Sequence, residues 1–541
     1  MSAKTKISRR GALKLGAGAF IGVGALPYMT GYVNAAGEQV LKVAHPSFNQ
    51  DWSPMRGGGA PFRWNSIWWA SPMYFDAEGK IHPYVFESWT GSDDKKVWTF
   101  KIVGNAVFSD GSKITAADVK GSWELAAMPN TKSQRVSQVL SGVVGFAEVN
   151  GGNGKELSGV VVKDDATLEV TLNLSDPIFF MRLGNHIVPI VKASQARGED
   201  GNEKPEFWLP ANGGVTSGPF MMTEMDIDGG KFAFDVNPNF FGPKPKITRI
   251  EITSIEDAVS ATELLKQGEF QAHTELVTST IVKDLGPEFA AGPTIPTSQH
   301  FWINSSRAPM EDPKVRQALI MAIDRDGLIK ASFPDGPHKK TDEVINSVPG
   351  AGGAVEAYKF DPAAAKQLLA ESTYGGPEKL PKILFVGISS PANEAAAQFI
   401  AEQWRQNLGI TAVDMKPQQD QYAGPDQNAI QIFRDDVGTR VPDAASYLAG
   451  SIHSSSGNAQ GKMGGYKNAE VDKLIDEALS KAADDPARVD LALKAQAIFM
   501  KGYNFIPWYQ QTMSRWALAN VKAMEKNLDW QVIAPWNIEI T

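Results

Sequence analysis

The 541-residue chain contains no cysteine. Disulfides, thiolate-ligated zinc, iron–sulfur clusters and thiol nucleophiles are therefore excluded, as is a lipid anchor built on an acylated cysteine. Histidine is sparse. His45, His82, His186, His273, His300, His338 and His453 are scattered, with no pair at metal-ligand spacing, and each reads as a surface or structural residue. After residue 36 no apolar run approaches the roughly 18 residues of a membrane-spanning helix. Positive charge is in the minority, with 53 Lys and Arg against 61 Asp and Glu. Five of the basic residues (Lys4, Lys6, Arg9, Arg10 and Lys14) lie in the first 36 positions with no acid among them, so the remainder carries a net charge of −13. Nucleic-acid binding needs clustered Lys and Arg to neutralise phosphates, and no such cluster exists.

The short patterns that carry enzyme mechanisms are missing too. There is no G-x-S-x-G elbow, no H-E-x-x-H pair and no complete G-x-G-x-x-G after residue 36. "GNAQGKM" has a glycine and Lys462, but neither the spacing nor the hydroxyl of a Walker loop. "DIDGGK" at Asp226 begins like a calcium loop, lacks the third ligand and the terminal glutamate, and reads as a hairpin turn. Carboxylate pairs such as Asp435-Asp436 are usually solvated turns. For a chain this long, that silence favours binding over chemistry, and no cofactor site is visible.

What is present is globular: 43% hydrophobic and 21% charged residues, with 14 tryptophans, enough for two or three domains. The first 36 residues have the three parts of an export signal. "SRRGALK" matches the twin-arginine pattern, a Gly- and Ala-rich run follows from Leu13 to Met29, and small residues offer cleavage after Ala35 or Ala36. The expected product is a soluble, non-lipidated periplasmic protein.

Beyond it, strands and helices mix without regular alternation. "VWTFKIV" (97–103) and "TLEVTLNL" (167–174) alternate as half-buried strands do. Thr115 with Asp118 forms a capping-box pattern. Asp312-Pro313, Asp361-Pro362 and Asp485-Pro486 each place a cap residue before a proline suited to the first helical position. The segments form an α/β chain too interleaved for tandem domains, strand-rich before about residue 300 and helix-rich after it.

Several segments, in order, resemble the family 5 extracellular solute-binding proteins of ABC importers, the oligopeptide-, dipeptide- and nickel-binding relatives. They are "IHPYVFESWTGSDDKKVWTFKIVGNAVFSDGSKITAADVKGSW" (81–123), "SGPF" (217–220), "NPNFFGPKPKITRIEI" and "FWINSSRAPMEDPKVRQALIMAIDRDGLI" (301–329), followed by "YKFDPAAAKQLLAES" and "WRQNLGITAV". Val85-Phe86 and Ile102-Val103 depart from the usual Leu-Ala and Leu-Arg, which touches packing only. The resemblance implies a bilobal periplasmic-binding-protein fold of type II, in the large class with an inserted subdomain. Its expected divisions are a twin-arginine signal at 1–36, lobe I at 37–300 with an insertion at about 53–185, lobe II at 301–509, and a return to lobe I at 510–541. Two chain crossings, near "HFWINSS" and "IPWYQQTMSRW", would form the hinge. The implied partners are a small-molecule ligand, the ABC permease subunits and, during export, the twin-arginine translocase; the protein itself is expected to be monomeric.

In peptide-binding relatives a W-x-x-D-x-x-D/E-P segment lines the cleft, and its first Asp holds the ligand ammonium. Here "GTRVPDAASYL" occupies that place. If Asp443 is the second acid, Arg440 stands where the ammonium-binding Asp would be. A guanidinium there would repel an amine and attract carboxylate, phosphate or sulfate. The alternative is that Arg440 pairs with Asp435, Asp436 or Asp443 and only shapes its loop. The candidate ligand-binding residues are Arg440, Asp443 and Asp436, together with Phe48, Asn49, Trp52, Trp68 and Trp69 from the segment that reaches the cleft in relatives, and Trp302 and Trp508 beside the crossings. Each tryptophan has a blander reading as core. The candidate functions are a transport receptor for a small polar solute, a secreted hydrolase using paired carboxylates, and a chaperone or sensory partner using the same cleft.

Overall fold

The computed structural model describes residues 39–45, 52–56, 59–76, 79–273, 291–334, 338–345, 348, 351–352, 355–388, 390–417, 429–438, 441–514, 517–524 and 532–541. The export signal lies outside them. No helix among the described residues is long and apolar enough to cross a membrane.

Apolar side chains condense into two large cores. The first draws on residues between Leu41 and Ala272 and again between Ala517 and Ile538. The second draws, among the described residues, on Phe301 to Tyr509. Two strands link these regions, Ala291–Ile303 on the way out and Phe505–Ser514 on the way back, and they pair antiparallel with each other.

The first core is built on a five-stranded sheet, in spatial order Ala272–His273, Val40–His45, Arg249–Ser254, Lys231–Val236 and Phe220–Asp226. Val40–His45 runs parallel to both of its neighbours. The "DIDGG" segment is the turn of the Phe220–Asp226/Lys231–Val236 hairpin, where Gly229 N–H donates to Asp226 Oδ1 at 2.8 Å. An antiparallel four-stranded sheet contributes to the same core, in order Phe86–Gly91, Val97–Ile102, Thr167–Thr171 and Val160–Asp164. The alternation in "VWTFKI" puts Trp98, Phe100 and Ile102 inside. Helix Ala116–Ala127 covers that sheet and opens on the reciprocal Thr115–Asp118 capping box.

The second core is built on six strands, in order Lys339–Lys340, Phe505–Ser514, Ala291–Ile303, Ile432–Gly438, Ile383–Ile388 and Val413–Pro417. Its helices start where the Asp-Pro pairs place them. Asp312, Asp361 and Asp485 accept from the backbone N–H groups of Lys314, Ala364 and Ala487, with proline in the first turn each time. Helix Pro391–Leu408 ends at Gly409, whose φ of 78° closes the last turn in the left-handed region.

The last residues return to the first core. Leu518 N–H donates to Gln271 O at 2.7 Å, and Trp536 packs edge-on to Tyr74 and tilted against Tyr84 and Phe240.

Candidate functional site

In the second sheet, Ile383–Ile388 lies between two parallel neighbours, Val413–Pro417 and Ile432–Gly438. The chain leaves its carboxyl end through helix Pro391–Leu408 to reach one neighbour and later returns on the other side. At such a switch the connections diverge and leave a crevice beyond the strand ends, where α/β proteins bind ligands. The carboxyl end of Ile432–Gly438 leads into 439–440 and then Val441. Val441 packs with Phe75 and Ile178, which precede the first crossing strand. Val441 therefore bridges from the second-core side of the chain to residues of the first-core side.

The sequence candidates distribute unevenly around this place. Arg440, Phe48 and Asn49 lie outside the described residues. Asp436 occupies the strand position opposite Gln299. Asp443 is the N-cap of helix Ala444–Ser451 and accepts from Ser446 N–H at 2.8 Å. Both of its oxygens also bind Arg488, at 2.6 Å from Nε and 2.8 Å from Nη2. Arg488 is itself buried and donates through Nη1 to the carbonyls of Ala478, Leu479 and Lys481, at the C-terminal end of the preceding helix. Burial pushes the Asp443 carboxyl up, but the bonds and charge of Arg488, with help from Ser446, outweigh it and hold the group below its ordinary range. Asp443 is thus the centre of an intralobe ion pair.

The tryptophans behave mostly as core. Trp302 is fully buried among Phe499, Phe505 and His300. Trp508 stacks on Phe301 with ring centroids 5.0 Å apart and donates its indole N–H to Ser332 Oγ at 3.1 Å. Trp68 and Trp69 are fully buried against Trp208, Phe234 and Phe207. Trp52 stacks on Phe232 at 4.4 Å. It also edges a cavity of about 330 Å³ in the first lobe, which Arg56, Glu203, Trp208 and Met225 help to line. Arg63, on helix Gly59–Trp68, is pulled down to about 10 by burial and by the charge of Arg135. That places two guanidinium groups near each other in the same lobe.

Two cationic residues are tied into the second sheet more firmly than the sequence pattern suggests. Arg434 lies on strand Ile432–Gly438 and donates from Nη2 to Gln299 Oε1 at 2.5 Å, which ties that strand to the first crossing strand. Its Nε is buried without a hydrogen-bond partner among the described residues. Lys462 ends a π-helical turn at Asn458–Lys462, where it bonds Asn458 Oδ1 at 3.0 Å and pairs with Asp435. Comparing "GNAQGKM" with a Walker loop made Lys462 look incidental. Its ion pair spans residues 27 positions apart, which no local pattern reveals. No group of His, Cys, Asp or Glu able to hold a metal occurs among the described residues.

Comparison with known proteins agrees with this geometry. Residues 80–459 match the family model described as bacterial extracellular solute-binding proteins, family 5 Middle. The chain is 28% identical over 456 residues to the periplasmic oligopeptide-binding protein OppA of Salmonella typhimurium, covering 81% of each chain. It is 26% identical over 451 residues to heme-binding protein A of Haemophilus influenzae, covering 79% of this chain and 78% of that one. Its fold superposes on the unliganded open form of the murein tripeptide-binding protein MppA with a TM-score of 0.78 at 21% identity, covering 93% and 98% of the two chains. It superposes on NikA of Brucella suis in complex with Fe(III)-EDTA with a TM-score of 0.76 at 20% identity, covering 93% and 100%. A mixed α/β chain matched over this span, with two large cores, belongs to family 5 of the bacterial extracellular solute-binding proteins, the non-enzymatic receptors of ABC importers.

Proposed function

We propose that the protein captures a small polar solute bearing a carboxylate, phosphate or similar hydrogen-accepting group between its lobes, and delivers it to an ABC permease from the periplasm. The observation that carries the reading is the engagement of Asp443. Both of its oxygens are held by Arg488, one of them also by Ser446 N–H, inside the second lobe. Of the three acids that the sequence offers as neutralisers of Arg440, Asp443 is therefore committed elsewhere, and Asp435 pairs with Lys462. Arg434, partly buried beside the first crossing strand, adds a second guanidinium on the strand that leads to Arg440. A planar, permanently charged fork suits a carboxylate or phosphate bidentately. The relatives are named for oligopeptides, murein peptides, heme and glutathione, so the family leaves solute chemistry open. Export through the twin-arginine route follows from "SRRGALK".

A thermal-shift panel on the purified mature protein tests this reading. It pairs carboxylated and phosphorylated solutes with neutral oligosaccharides and with free-amine di- to pentapeptides. A ligand at a thousand times its Kd adds about 4 kcal/mol to the folded state. The expected result is a shift confined to anionic solutes, lost in Arg440→Ala. A shift with ordinary free-amine peptides that survives Arg440→Ala would instead make this a conventional peptide receptor.

A further inference from the structure

Val441 is buried, at 4% exposure, yet it belongs to neither large core. Its cluster partners are Phe75 and Ile178, with Ile81 and Met181 at the rim, all of them from the first lobe. The first lobe builds this socket by itself. Phe75 faces Ile81 across the short Met73–Phe75/Ile81–Pro83 hairpin. That hairpin is braced by Asp76 and His82 at 2.6 Å and by Asp76 N–H donating to Lys80 O at 3.0 Å. Behind it lies Gly184, where an added Cβ would stand 2.5 Å from Ile81 Cδ1 and 2.7 Å from Phe75 Cε2. The floor of the socket therefore rests directly on backbone and cannot sink. Ile178 is fixed in turn, because its N–H donates to Asp176 Oδ1 at 3.1 Å and Asp176 holds Arg182 at 2.7 Å.

The plug is equally well anchored on its own side. Asp443 N–H donates to Val441 O at 2.7 Å, and Asp443 is locked to Arg488. A chain of contacts thus runs from Arg488 through Asp443 and Val441 into the Phe75–Ile178 socket, crossing from one lobe to the other.

We infer that Val441 is the positioning residue that fastens the second lobe's ligand segment to the first lobe through the Phe75–Ile178 socket, and so sets how far apart the lobes stand. Its bearing on ligand binding rests on the reading that residues 439–443 line the cleft; the fastening itself does not. An apolar plug in a preformed apolar socket needs no ligand to seat it. The empty receptor then holds a preferred lobe spacing, and releasing the plug widens the range of spacings.

The absence of cysteine makes the test direct. Leu174→Cys and Glu477→Cys place one spin label on an exposed site in each lobe, and electron–electron distance measurement on the full chain, unfolded and refolded to strip bound solute, reads the lobe spacing. The expected result is one narrow distance population in the labelled parent, broadened toward longer distances by Val441→Asp, partly broadened by Val441→Ser, and restored by Val441→Ile. Because the side chain serves neither main core, the thermal midpoint of Val441→Ser should stay within a few degrees of the parent. An unchanged distribution in Val441→Asp overturns the inference. If that variant does not fold, a parent-like distribution in Val441→Ser overturns it instead. No ligand enters this experiment, so its failure leaves the anionic-solute reading standing, and failure of the solute panel leaves the fastening standing.

Discussion

His300 shows how a residue's surroundings decide its chemistry. It lies on the first crossing strand, fully buried, with its ring edge-on to Trp302 and Phe505. Burial in this aromatic setting drives its pKa down to about 3. The folded protein therefore stays unprotonated there, while the unfolded chain takes a proton below the ordinary value of about 6.5. The folded-state pKa is the lower one, so this residue costs nothing above the unfolded-chain value of about 6.5. It removes stability progressively as pH falls from about 6.5 toward 3, by at most about 1.4 kcal/mol per pH unit. His300→Gln should flatten the stability-against-pH curve in that window and leave carboxylate effects near pH 4 in place. Urea denaturation of both proteins at pH 7.5, 5.5 and 4.5 reads the difference, and parallel curves would refute the assignment. From sequence alone this histidine was one of seven scattered residues. Nothing local announces burial, which comes from the strands on either side. The same holds for Asp443, whose partner lies 45 residues away, and for the tryptophans, whose burial depends on the core each one joins.

Elements were far more legible, because their signals are local. An aspartate before a proline caps a helix by bonding an N–H two or three residues on, and all three such pairs do so. Strict alternation gave the Val97–Ile102 strand to within a residue. The π-helical turn at Asn458–Lys462 and the Met73–Phe75/Ile81–Pro83 hairpin lack propensity signals of comparable strength and went unread. "SGPF" was recognisable only by resemblance, and its physical reason is tertiary. Gly218 N–H donates to Trp68 O at 3.0 Å, and a Cβ there would lie 2.4 Å from the Trp68 carbonyl carbon and 2.6 Å from Trp69 N. Both obstacles are backbone, so Gly218→Ala should destabilise by about 1–3 kcal/mol. Gly450, near the end of helix Ala444–Ser451, is the contrasting case. A Cβ there meets nothing within 4 Å, so Gly450→Ala should stabilise by up to about 1 kcal/mol. Chemical denaturation of the two variants gives opposite signs if backbone approach, rather than glycine content, governs these sites.

At the scale of the whole molecule, two strands among the described residues run between the two cores, and the chain's last residues belong to the first core rather than to the second core beside them in sequence. Ala517, Val521, Val532, Trp536 and Ile538 all pack there. Family resemblance could anticipate such a return; composition and periodicity could not, since they carry no information about which distant sheet a terminal segment joins. The consequence is an uneven stability map. Among the described residues the apolar side chains fall into two separate large cores, so each can open with its own free energy. Trp536 reaches Tyr74, Tyr84 and Phe240 within the first lobe. Trp536→Ala should cost about 3–5 kcal/mol by emptying that space. The loss should fall on amides of the Val40–His45 and Arg249–Ser254 strands, and little of it on Ile383–Ile388 and Ile432–Gly438. Native-state hydrogen exchange resolves the two groups. Equal loss of protection in both would mean that the crossing strands bind the lobes into one cooperative unit, whereas loss confined to the first lobe would show a receptor whose halves keep separate stabilities.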